Sequence, residues 1–217
     1  QNRLCQVFPI LPPGAELRIE TTGAVLRPRP RPEGDLLPGA DTRRFAVQGF
    51  VDASLPGGPG VTIAPLDAFA LRLDLDPISF EAIGNDQNYK EVTRDQDGVT
   101  EFRVRYALRA HAGGFSAPEA FAWSRAAAVP LLGRPGRLPR GISAPAFALD
   151  PRRLLATCLK PADGAEGFVL RLWETAGQAD PVAIGLQGCS RVLRTDLLER
   201  DLEELPAPGG KASLRIP

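Results

Sequence analysis

Apolar and polar residues alternate with period two along much of the chain, and that pattern predicts short strands rather than long helices. Residues 16–20 set Leu17 and Ile19 against Glu16, Arg18 and Glu20. This is a half-buried strand, and Thr22-Gly23 turns it into Ala24-Val25-Leu26. Residues 45–51 read as one strand, with Phe45, Val47, Gly49 and Val51 opposed to Ala46, Gln48 and Phe50. Residues 61–64 and 69–75 follow as strands, the second with Phe69, Leu71, Leu73 and Leu75 on one side. Asp97-Gly98 is a hairpin-turn signal, and it leads into residues 100–108, where Phe102, Val104, Tyr106 and Leu108 alternate with Glu101, Arg103 and Arg105. Residues 118–128 form the one convincing helix. Ser116 stands at the capping position, Pro118 in the first turn and Glu119 near the positive end of the dipole.

The tail repeats the strand pattern on a smaller scale. Residues 154–160 and 168–173 flank a Gly-containing turn and predict a hairpin, and residues 182–186, 190–195 and 212–216 add three strands. On the second hairpin strand Phe168, Leu170 and Leu172 share the face assigned to the core. Val169, Arg171 and Trp173 then share the outer one. Many short strands with frequent turns point to sheet-on-sheet packing. The fold class expected is therefore mostly all-β, with one short helix. Residues 133–145, rich in Gly and Pro, read as the linker between a domain spanning 1–145 and a smaller β domain spanning 146–217.

Composition sharpens this reading. Gly and Pro number 22 each among 217 residues, enough to break the chain into short segments. Lys plus Arg equals Asp plus Glu at 26, so the basic excess of a nucleic-acid binder is absent. The local exception is Arg27-Pro28-Arg29-Pro30-Arg31-Pro32, whose alternation favours extended polyproline II. It reads as a solvated surface loop, or functionally as a basic contact arm. No apolar run approaches the ~18 residues of a membrane span. Three cysteines without a CxxC fit free thiols in a reducing compartment. Met is absent even at position 1, so a piece of a longer chain or a processed product is expected. Arg, Ala, Gly and Pro are in excess and Lys is limited to Lys90, Lys160 and Lys211, which suggests the codon usage of a high-GC bacterium.

Candidate chemistry is sparse. His111 is the one histidine, placed just past a strand end, and no Gly-x-Ser-x-Gly elbow accompanies it. It reads first as a hydrogen-bonding, structural histidine. Zinc needs three or four converging ligands, which one His and three scattered Cys do not supply. Asp95-Gln96-Asp97-Gly98 has the opening of a calcium loop without its remaining ligands, and reads as a turn. Asp74 and Asp76 share a strand face about 7 Å apart, but two acids on one strand do not flank a glycosidic bond. Lys160 and Arg171 lie on neighbouring hairpin strands. They suit a carboxylate or a sugar hydroxyl, and equally read as surface charges or as partners of Asp163 or Glu166. No residue is assigned a catalytic or metal-binding role; His111, Lys160 and Arg171 are the candidates for contacting substrate or a domain interface.

The tail also carries a resemblance. Ala156-Thr157-Cys158-Leu159-Lys160-Pro161-Ala162-Asp163-Gly164, then Gly167-Phe168-Val169-Leu170-Arg171-Leu172-Trp173-Glu174 and Gly177, resembles the C-terminal region of the family 38 α-mannosidases. Arg194-Thr195-Asp196-Leu197-Leu198-Glu199 resembles the family's next element. Weaker matches follow the family's order upstream: Arg3-Leu4 with Phe8-Pro9, Gly23-Ala24-Val25-Leu26-Arg27-Pro28, residues 45–52, residues 60–67, residues 106–113 and Pro130-Leu131.

The resemblance implies that residues 1–145 are part of a large β-sandwich of the galactose-mutarotase-like supersandwich type. Residues 146–217 would be a small terminal β-sandwich without its last strand. It implies a parent that hydrolyses α-mannosides with retention, through a carboxylate nucleophile and zinc. Both would lie in an N-terminal catalytic domain outside this chain, with no zinc ligand or nucleophile mapped here and no cofactor in the fragment itself. The partners implied are that catalytic domain and an α-mannoside carbohydrate, with no nucleic acid and no membrane, in a bacterial cytoplasm. The alternative is a stand-alone carbohydrate-binding or adhesion β-sandwich, which the gene sequence upstream of Gln1 distinguishes.

Overall fold

The computed structural model describes residues 2–73, 78–85, 100–133, 135–136, 147–150, 152–163 and 166–216. The Asp74 and Asp76 pair, the Asp95–Gly98 segment with its turn, and most of the expected linker at 133–145 lie outside them. The chain forms two compact units, Gln1–Ser116 with Trp123–Pro130, and Ala117–Ala122 with Leu131–Pro217.

The first unit contains β1 (Asn2–Phe8), β2 (Glu16–Thr21), β3 (Ala24–Leu26), β4 (Arg44–Ala46), β5 (Val51–Ser54), β6 (Gly60–Pro65), β7 (Ala70–Arg72), β8 (Ile78–Asn85) and β9 (Tyr106–His111). The strands build two antiparallel sheets, ordered β1-β8-β7-β4 and β3-β2-β5-β6-β9. Between them lies one core. Ile19, Val51, Ala53 and Ile63 come from the five-stranded sheet, and Leu71, Ile78 and Phe80 from the four-stranded one. Phe8 and Tyr106 close one side with their ring centroids 5.2 Å apart. Each such large apolar side chain stabilises the fold by roughly 1.5–3 kcal/mol when fully buried. The helix α1 (Ala117–Ala128) has Ser116 at its N-cap, yet the Ser116 side chain makes no capping hydrogen bond.

Three segments depart from the sequence reading, each for a visible reason. Residues 45–51 are not one strand. Phe45 belongs to β4 and Val51 to β5, in different sheets, and the chain crosses between them at Val47–Phe50. Val47 N–H still donates to Phe69 O at 2.8 Å, while Gln48 N–H already donates to Glu20 O at 3.0 Å. Alternation survives the crossing because both sheets face the same core. Residues 100–105 are irregular, and the strand begins at Tyr106, opposite Pro65 where β6 ends. The arginine-proline run is not an extended arm. It folds back on itself: Leu36 N–H donates to Arg29 O and Arg31 N–H to Leu36 O, each at 3.0 Å. Asp35 closes the loop by accepting from the Arg27 N–H at 2.7 Å and from its guanidinium at 3.0 Å. Only glycine fits at position 34, where a Cβ would lie 2.1 Å from Arg29 O.

The second unit is a smaller sandwich. Its strands are β10 (Phe147–Ala148), β11 (Leu154–Pro161), β12 (Phe168–Glu174), β13 (Val182–Leu186), β14 (Leu193–Thr195), β15 (Asp201–Glu204) and β16 (Lys211–Leu214). The β11-β12 hairpin packs Leu154, Leu170 and Leu172 against Val182, Ile184, Leu186 and Ala212 of the β10-β13-β16 sheet. Trp173 takes the other face of β12 and meets Phe121 edge-on, at 4.7 Å between centroids. Phe168, expected in the core, is 41% exposed because it sits at the strand's outer end, beside the loop. The β14-β15 pair was not legible as two strands: β15 is exposed along its whole length and held by charge, with Arg194 on Glu203 at 2.9 Å.

Cys5, Cys158 and Cys189 are free and half-buried. Titration of the denatured, unreduced protein should find three thiols. A single thiol would mean that two of them had bridged.

Candidate functional site

Side chains alternate across β5, so Val51 and Ala53 enter the sandwich core while Asp52 and Ser54 emerge on the opposite face. That face is not solvated. Asp52 is 1% exposed, and Ser54 and Thr62 are 3% exposed each. The register sets Asp52 opposite Thr62, and Gly60 opposite His111. Asp52 Oδ1 accepts from the Ser54 hydroxyl at 2.7 Å, and Oδ2 accepts from the Thr62 hydroxyl at 2.6 Å. The His111 ring reaches the same oxygen, with Nε2 at 3.0 Å, while Nδ1 lies 2.7 Å from Gly113 O. Both ring nitrogens thus face oxygen acceptors. Gly60 makes room for the ring: a Cβ there would lie 2.4 Å from Ser54 Cβ and 2.7 Å from the ring's Cε1.

Aspartate, histidine and serine therefore meet, but not in the order that activates a nucleophile. Ser54 donates to Asp52 and not to His111, so the imidazole is not placed to take its proton. The carboxylate acts as a shared acceptor that ties β5, β6 and β9 together. A second buried acid lies on the same sheet. Glu20 of β2 is fully buried, and its Oε1 accepts from Arg125 of α1 at 2.5 Å. Its Oε2 has no partner and fills the space where Gly49 lacks a Cβ. Burial pushes the Glu20 carboxyl up from 4.5 to about 7, against the opposing pull of Arg125.

Lys160 and Arg171 are in the second unit. Lys160 pairs with Asp163 at 3.0 Å and with Glu199 at 2.7 Å, and these hydrogen bonds raise its pKa above the ordinary lysine value. Arg171 stands opposite Cys158, exposed, and its backbone carbonyl accepts from Thr157 Oγ1 at 3.3 Å. The hairpin thus brings these two onto paired strands, while His111 sits in the first unit's Asp52 cluster. Asp52, Ser54, Thr62 and Glu20 were not singled out in the sequence. The available signal was polar residues recurring inside the apolar stretches 51–54 and 61–64.

Among the described residues, no three His, Cys, Asp or Glu side chains converge as metal ligands. The two ring nitrogens of His111 are already engaged, so this histidine does not fit a zinc site. No helix among the described residues is long and apolar enough to cross a membrane.

Comparison with protein families gives one match. Residues 154–217, which hold β11 to β16, match the glycosyl hydrolases family 38 C-terminal beta sandwich domain. No curated protein matches the chain.

Proposed function

We propose that this chain, whose residues 154–217 match the glycosyl hydrolases family 38 C-terminal beta sandwich domain, is the non-catalytic β region of an α-mannosidase-like glycoside hydrolase. The family match on the tail carries this reading. The upstream sandwich fits it as a rigid support, since its chemistry-bearing side chains are spent on each other: Asp52 on Ser54, Thr62 and His111, and Glu20 on Arg125. The partner in this proposal is a catalytic domain of the same protein. That domain supplies the carboxylate nucleophile, the acid and the zinc that retaining hydrolysis of α-mannosides requires. Free thiols at Cys5, Cys158 and Cys189 suit a reducing compartment, here a bacterial cytoplasm.

Activity on an aryl α-mannoside tests the assignment. The purified chain should give no turnover above the buffer blank, with or without added zinc. The full-length protein should hydrolyse the substrate and lose that activity to a chelator. Turnover by the chain alone, or a full-length protein active only on another glycoside, would overturn the reading.

A further inference from the structure

The arginine-proline loop between β3 and β4 lies outside the residues that match a known domain, and the sandwich core does not use it. It is nevertheless built to hold its shape. Arg29 donates its N–H to Arg27 O at 2.8 Å, Gly34 to Pro30 O at 3.0 Å and Asp35 to Arg27 O at 3.2 Å. With the bonds described above, Arg29, Arg31, Gly34, Asp35 and Leu36 all donate within the loop. Pro28, Pro30 and Pro32 fix the backbone between them. A Cβ at Gly34 would lie 2.6 Å from Arg29 Cβ, so the turn is packed against the root of the Arg29 side chain.

The loop spends one arginine on itself and leaves two. Arg27 is held by Asp35, whereas Arg29 and Arg31 are exposed and meet no carboxylate among the described residues. Two residues apart, their Cα atoms are separated by at most about 7 Å. Two like charges are thus kept close together, which slightly disfavours the folded loop. An apolar group stands next to them. Leu37 opens the turn Leu37-Pro38-Gly39-Ala40, closed by Ala40 N–H to Leu37 O at 3.1 Å with Gly39 at φ 84°. The Leu37 side chain is 64% exposed on this fixed turn.

We propose that this loop is a docking site for an acidic segment of a partner protein, with Arg29 and Arg31 gripping its carboxylates and Leu37 receiving an apolar side chain beside them. Complementary charge selects the class. A guanidinium offers a planar fork of donors that matches a carboxylate bidentately. Membrane surfaces and nucleic acids are bound through many cations together, about four to eight in a lipid-binding cluster. Here two free arginines share a loop with Glu33 and Asp35, in a chain whose charges balance at 26 each. A free phosphate would occupy the guanidiniums and leave Leu37 bare. Because the backbone is already pinned, little loop entropy is lost on binding. The proposal does not depend on which bond the full-length protein cleaves, so it stands or falls apart from the mannosidase reading.

The probe is a capped peptide of sequence Glu-Leu-Glu-Glu-Leu-Glu, titrated into the intact chain while amide chemical shifts are followed. Parallel titrations use the same peptide with glutamine for glutamate, inorganic phosphate, and phosphatidylserine vesicles. We expect shifts clustered at residues 27–37 with the acidic peptide alone, fading as salt rises from about 0.05 to 0.3 M. Arg29→Gln and Arg31→Gln should each weaken binding about tenfold. Their melting temperatures should equal or slightly exceed that of the wild type, since a repulsion is removed. Leu37→Ala should weaken binding about threefold. Gly34→Ala removes no charge and should weaken it by displacing Arg29; if that variant does not fold, the arginine variants decide. Absence of shifts at 27–37 with millimolar acidic peptide would overturn the proposal, as would equal binding of the glutamine peptide or unchanged affinity in both arginine variants. Phosphate bound at 27–37 as tightly as the peptide would replace it with a phosphate site. Vesicle binding that both arginine variants lose would replace it with a membrane contact.

Discussion

Asp52→Ala is expected to destabilise the first unit by about 3–5 kcal/mol, which lowers its melting temperature by roughly 10 °C. The substitution removes one buried carboxylate and strands three donors: the Ser54 hydroxyl, the Thr62 hydroxyl and the His111 ring. Ser54 and Thr62 are both buried, so water does not replace the lost acceptor without opening the sheet. Asp52→Asn keeps the shape but offers a single acceptor oxygen and two donors to neighbours that all need an acceptor. It should fall between the wild type and Asp52→Ala. Ser54→Ala removes one donor and leaves the others satisfied, at a cost of about 1 kcal/mol. Urea unfolding followed by far-UV circular dichroism orders the three. If Asp52→Ala came within about 1 kcal/mol of wild type, the cluster would contribute little to holding β5, β6 and β9 together.

The second large effect is a pH dependence. Glu20 holds its proton up to about 7 in the folded chain, whereas an ordinary glutamate releases it near 4.5. The folded form therefore binds this proton more tightly than the unfolded form. Stability contributed by Glu20 is fully present below about 4.5, falls as the pH rises towards 7, and is gone above that. The whole change is about 3 kcal/mol at most. Glu20→Gln cannot ionise and should remove this slope. Near pH 5 the variant should resemble the wild type, because a protonated carboxyl and an amide have nearly the same shape. At pH 8 it should be the more stable of the two, by up to about 3 kcal/mol. The Arg125 side chain is 32% exposed and keeps access to water when its charged partner is gone. The aspartates paired with arginine at the surface act in a different window. Asp35, Asp67 and Asp196 titrate below the usual 3.8, so what they contribute is lost only as the pH falls through the acid range. Unfolding free energies at pH 5 and pH 8 for both proteins decide the matter. Parallel profiles would mean that Glu20 is already ionised in the fold at neutral pH.

The sequence was most informative where one face of an element is buried and the other is wet. Leu17 and Ile19 of β2 and Leu170 and Leu172 of β12 take the core side that their alternation predicts, although Glu20 is buried and Phe168 exposed against it, and α1 begins beside its predicted cap. It was least informative where that assumption fails. Asp52, Ser54 and Thr62 look like a solvent face, and nothing local says that the face is covered. Their partner His111 is 59 positions from Asp52, a juxtaposition that only the strand order creates. Phe69 alternates in step with Leu71 and so reads as core. It lies just before β7, outside the ladder, and stays exposed. β15 has no apolar alternation because cross-strand charge does the pairing.

The pairing of β1 with β8 also bears on how the chain is made. Val7 and Phe8 find their partners at Ser79 and Ile78, roughly 70 residues later. At about 5–20 residues per second of synthesis, β1 waits on the order of 4–14 s on the ribosome before its ladder can exist. During that interval Leu4, Val7 and Phe8 have no sheet to join, and their backbone is open to pairing with any other nascent strand. Leu4 remains 63% exposed even after folding is complete. Among the described strand pairings β1-β8 spans the longest stretch of sequence, so loop-closure entropy weighs on it more than on any other of them.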